Sequence, residues 1–71
     1  MEKWIKTQNG DLVKPNNILY FIEYGRLEVI TRLGHQSYIV MGTYNPDDEK
    51  LIRDQIQDFI ENGIVNLFVM P

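Results

Sequence analysis

Residues 18–44 fall into short apolar-rich runs between turn residues, and each run sorts into two faces when read with a period of two, as strands do. In ILYFIEY, Ile18, Tyr20 and Ile22 project to one side and Leu19, Phe21 and Glu23 to the other. Tyr24-Gly25 turns the chain into RLEVITRL. A two-residue loop there sets Ile22 against Leu27, Tyr20 against Val29 and Ile18 against Thr31. The opposite face then pairs Glu23 with Arg26, Phe21 with Glu28 and Leu19 with Ile30. A one-residue slip would invert every pair, so this register is specified. Gly34-His35 predicts the next turn and SYIVMGTY the next strand. Tyr38 and Val40 are expected on the first face, Ile39 and Met41 on the second.

Beyond residue 45 the apolar period lengthens. Asn45 can cap a helix, Pro46 fits its first position, and Asp47 and Asp48 follow where the macrodipole favours acids. The helix is predicted to run to about Asn62, with Ile52, Ile56, Phe59 and Ile60 as its stripe. Gly63 reads as a left-handed residue just past its end, with Ile64 folding back on Phe59. Upstream, WIKTQNGDLVK reads as a hairpin with a type I′ turn at Asn9-Gly10, and Pro15-Asn16-Asn17 breaks the strand. The closing IVNLFVM reads as a strand with Ile64, Asn66, Phe68 and Met70 on one side. Val65, Leu67 and Val69 lie on the other, so both sides are mostly apolar, as in a covered strand.

The fold class that follows is α+β in one domain over residues 1–71. An antiparallel β-meander sheet carries one helix on one face and is followed by a C-terminal strand. The helix is expected on Ile18, Tyr20, Ile22, Leu27, Val29 and Val40, the more uniformly apolar face. The other face keeps Leu19, Phe21, Ile30, Ile39 and Met41 among Glu23, Arg26, Glu28 and Arg32. Either the N-terminal hairpin or another chain has to cover it.

Size sharpens that question. A chain of 71 residues buries only about 60% of its unfolded surface, and domains of this size often add a staple. There is no cysteine and a single histidine, His35, so neither a disulfide nor a structural zinc site can be built. No cofactor or metal is expected. Oligomerisation is the staple left open.

Charge is unevenly placed. Six acids and two bases between Pro46 and Asn62 give −4, the other four acids and five bases give +1, and the chain carries −3. This lacks the basic footprint of a nucleic-acid binder. The opening MEKWIKTQNGD is too polar for a signal peptide, and the apolar tail is far short of the roughly 20 residues that span a bilayer. A cytoplasmic protein without membrane contact is expected.

Candidate chemistry is sparse. Ser37 and His35 stand two apart at a turn with no third group to orient a base. Asp54 and Asp58 share a helix face, but hard cations need more oxygens than two carboxylates supply. Trp4 beside Lys3 and Lys6 can stack on a base, anchor in a partner, or close the edge of a small core.

The segment W-I-K-T-x-x-G-x-L-V, Trp4 to Val13, resembles the opening of a scattered set of small uncharacterised bacterial and phage proteins. That resemblance brings no activity with it. The segment Ile18 to Glu23 also resembles a strand of the LytTR DNA-binding domain, which implies nucleic-acid binding. This chain is shorter and acidic and has no obvious basic recognition loop.

The expected function is a small non-enzymatic interaction or regulatory module, self-associating as a homodimer or higher oligomer. Its expected interface comprises Leu19, Phe21, Ile30, Ile39, Met41, Val65, Leu67, Phe68 and Val69. The alternative is a nucleic-acid-binding β module using Lys3, Lys6, Lys14, Arg26 and Arg32.

Overall fold

A computed structural model describes residues 2–71. Strands β1 (Trp4–Lys6), β2 (Leu12–Val13), β3 (Ile18–Glu23), β4 (Arg26–Arg32) and β5 (Tyr38–Tyr44) precede a 3-10 turn at Pro46–Asp48. Helix α1 (Glu49–Asn62) and strand β6 (Leu67–Val69) follow. Two three-stranded sheets result, ordered β3-β4-β5 and β2-β1-β6, the first antiparallel throughout. In the second, β1 pairs antiparallel with β2 and parallel with β6.

The β3-β4 hairpin has the register expected from its side chains, from Ile18 opposite Thr31 to Glu23 opposite Arg26. Tyr24 and Gly25 take φ of 53° and 71°, the positive pair that a type I′ turn requires. The N-terminal hairpin differs from its expected turn. Gly10 has φ of 93° but Asn9 is not left-handed, and the Gly10 N–H donates to the Thr7 carbonyl. The Thr7 N–H donates to the Asp11 carbonyl, and the Thr7 hydroxyl accepts from the Asp11 N–H. The loop therefore holds three residues and ends in a glycine bulge, the next commonest hairpin solution.

The register of β5 corrects the expected faces. Val29 lies opposite Gly42 but Ile30 lies opposite Val40, which leaves Met41 as an extra, bulged residue. Thr31 faces Ile39 and Arg32 faces Tyr38. Ile39 therefore packs against the core and Met41 is fully buried in it, while Tyr38 and Val40 point outward. The connection spans residues 33–37, closed by Leu33 N–H to Ser37 carbonyl, rather than a tight turn at Gly34-His35. Its length resets the parity of the strand.

Asn45 Oδ1 accepts from the Asp47 N–H at 2.9 Å and caps the turn that Pro46 opens. Ile52, Ile56 and Phe59 are buried on Leu27, Val29 and Met41. Ile60 and Ile22, at opposite ends of this contact, stay exposed. Ile5, Val13 and Met70 complete the same core. The N-terminal hairpin and the tail therefore share the helix side and leave the far face of β3-β4-β5 open.

The helix ends differently from expectation. Gly63 has φ of −67° and ψ of 130°, extended rather than left-handed, and Ile64 is 96% exposed. The Lys3 ammonium occupies the place of a Schellman cap, donating to the carbonyls of Phe59, Ile60 and Gly63. A cation there also complements the helix macrodipole. Gly63 can then leave in an extended path that carries residues 67–69 to β1.

Candidate interaction surfaces

The outer face of β3-β4-β5 alternates out of phase with the core. Its centre is Ile30, 6% exposed and outside the core beneath α1. Leu19 and Val40 flank it from the neighbouring strands, and Phe21 and Tyr38 lie diagonally. Phe21 is 50% exposed and Tyr38 61%. A recess of about 570 Å3 opens here, lined by Ile30, Phe21 and Tyr38 with Glu23, Glu28 and Arg32. The bulge at Met41 strengthens local twist and bend, which suits a hollowed face.

The charges around this centre are two of each sign: Glu23 and Glu28, Arg26 and Arg32. Among the described residues the ion pairs are Lys14–Glu2 and Arg53–Glu49, so none of the four is spent in a salt bridge. Arg32 uses one amino group on the His35 carbonyl at 3.2 Å. At the hairpin tip Tyr24 is 88% exposed.

A second apolar surface lies on the small sheet. Ile5, Val13 and Phe68 face the core, with Phe68 packed on Phe59 at a ring-centroid distance of 5.5 Å. Trp4, Leu12, Leu67 and Val69 face outward and are exposed, with Lys6 among them. Val65, just before β6, is also exposed.

Of the expected interface residues, the fold places Leu19, Phe21 and Ile30 on one outer face and Val65, Leu67 and Val69 on the small-sheet side. Ile39, Met41 and Phe68 turn inward. Tyr38 and Val40, outside that set, take the outer face because of the bulge in β5, and Trp4, the candidate partner anchor, is exposed on the small sheet.

The bases are dispersed. Lys3 caps the helix, and Lys14 pairs with Glu2 at 2.8 Å. Lys6 lies on the small sheet, while Arg26 and Arg32 share the outer face with two glutamates. His35 and Ser37 are exposed in the loop before β5. Asp58 accepts from Asn62 on the solvent side of the helix, and Asp54 is exposed. Among the described residues, no group of three or more His, Asp or Glu side chains is placed to hold a metal ion, and no helix is long and apolar enough to cross a membrane.

Burial raises the phenol pKa of Tyr20, partly offset by the Arg53 guanidinium stacked 4.2 Å from its ring. Burial likewise raises that of Tyr44, whose hydroxyl donates to the Pro71 carbonyl. Both phenols belong to the core margin and not to the outer face.

Compared with known protein families, curated proteins and solved structures, the chain finds no match in any of the three.

Proposed function

We propose that the chain is a small, non-catalytic interaction module that works by self-association, with the outer face of β3-β4-β5 as its principal contact. The observation that carries this reading is the apolar recess around Ile30, where Phe21 and Tyr38 are exposed within a balanced charged surround. An apolar centre with a polar rim is the anatomy of an interface. In a two-fold dimer each patch meets its own copy. A face with two acids and two bases can pair with itself, whereas a face of one sign would repel. A second copy is therefore the occupant that this surface suits.

Light scattering on the wild type and on Phe21→Asp tests the reading. A dimer or larger species at high micromolar concentration is expected, converted to monomer by Phe21→Asp with the melting temperature retained. A wild type that remains monomeric overturns it. The nucleic-acid alternative draws on Lys3, Lys6, Lys14, Arg26 and Arg32, of which Arg26 and Arg32 share the outer face with two glutamates and the lysines lie elsewhere. It predicts binding that weakens steeply with salt, whereas an apolar contact holds or tightens.

A further inference from the structure

Strand β6 closes one end of its sheet, and among the described residues no strand pairs with its outer edge. Asn66 carbonyl accepts from Trp4 N–H, and Met70 N–H donates to Lys6 carbonyl. Backbone groups alternate sides along a strand, so those of Leu67 and Val69 aim at the open edge. Natural edges carry charges, prolines or covers against stray pairing. The edge of β2 is two residues long, between Asp11 and Lys14. The edge of β3 bears Glu23 and has Arg53, Gln57 and Glu61 of α1 beside Ile18 and Tyr20. On β5, Gln8 occupies the edge, its N–H donating to Met41 carbonyl and its Oε1 accepting from Thr43 N–H. Strand β6 itself has neither a charge nor a proline, and residues 62–71 contain no charged side chain.

We propose that β6 pairs antiparallel with the β6 of a second copy about a two-fold axis at Phe68, joining two three-stranded sheets into one of six strands. The inference rests on the self-association reading and adds a second contact to it. The register follows from the free groups. Leu67 and Val69 of one copy exchange N–H···O=C bonds with Val69 and Leu67 of the other, four bonds in all, and Phe68 faces its own copy across a non-bonded position. Two copies of net charge −3 repel over most approaches, and they meet here over uncharged chain. On the outer side the exposed pair Trp4–Leu67 and the exposed Val69 continue across the junction as one apolar stripe.

The chain has no cysteine, so paired substitutions report the register without background. In this register residue 67 of one copy lies about 5.5 Å in Cα separation from residue 69 of the other, within disulfide reach. Two copies of residue 67, or of residue 69, lie about 8 Å apart, beyond it. Both side chains are exposed, and circular dichroism is the check that each variant is folded. A mixture of Leu67→Cys and Val69→Cys proteins, mildly oxidised, is expected to form severalfold more cross-linked dimer than either alone. Wild type that is monomeric in light scattering overturns both this pairing and the self-association reading. Associated wild type with no excess cross-linking in the mixture overturns the β6 pairing alone. Preferential self-cross-linking of Leu67→Cys also overturns it, because it demands another register.

Discussion

The Nζ of Lys3 donates to the backbone carbonyl of Phe59 and lies 5.1 Å from the centroid of the same residue's ring. One side chain thus fastens β1 to the last turn of α1 and supplies the cation that the helix lacks there, since that turn has no basic residue of its own. The Lys3→Met variant keeps the apolar stem but loses the ammonium. Charge-assisted capping of this kind contributes about 1–2 kcal/mol, so its midpoint in urea should fall by that equivalent. An unchanged midpoint would mean water replaces the cap at no cost.

Phe59 is 5% exposed and touches both halves of the core, with Phe68 on one side and the helix stripe on the other. Truncation to alanine removes a large buried ring and leaves a cavity, at a cost of about 3–5 kcal/mol. In a domain this small that is enough to unfold most molecules. Thermal melting of Phe59→Ala is the measurement, and a transition like that of wild type contradicts the packing described.

Tyr24 holds φ of 53° while its side chain is 88% exposed. A left-handed conformation costs an ordinary side chain about 1 kcal/mol, which asparagine largely avoids. Tyr24→Asn should therefore raise stability by roughly 0.5–1 kcal/mol. The same variant should weaken association if the aromatic tip contributes to the contact. Denaturant titration and light scattering on one sample read both effects.

Tyr20 and Tyr44 have folded-state pKa values raised by burial above the ordinary 10.0. The unfolded chain therefore releases these protons first as pH rises. The stability they contribute is complete below pH 10 and is lost as pH climbs through the folded values. Melting temperature is expected to hold to about pH 10 and then decline. Tyr20→Phe or Tyr44→Phe should flatten the decline, and a decline unchanged in the double variant would assign it to other groups.

Legibility in the sequence followed locality. Tyr24-Gly25 and the matched pairs on either side specified the β3-β4 hairpin completely, and Asn45-Pro46 marked the helix start. The run YIVM was uninformative because it is apolar on both parities. Phase then comes only from the connection over residues 33–37, longer than a turn at Gly34-His35, and with the bulge at Met41 it sends Ile39 and Met41 inward. The parallel pairing of β6 with β1 and the reach of Lys3 to Phe59 join distant residues and leave no periodic trace. The outer face was legible where its residues belong to β3 and β4. It was misassigned on β5, where Tyr38 and Val40 stand in place of the expected pair.

Trp4 opposite Leu67 and Lys6 opposite Val69 are contacts made across more than 60 residues. Closing so long a loop costs about 3–4 kcal/mol in chain entropy, against a two-residue connection for β3-β4. The hairpin can form within microseconds, whereas the β1-β6 pairing waits until most of the chain is ordered. The reverse path should be equally graded. Amide protons of β1 and β6 should exchange with solvent through a partial opening that leaves β4 protected, so native-state hydrogen exchange should resolve two tiers. The shorter-lived tier contains the segment whose edge is free to meet another chain.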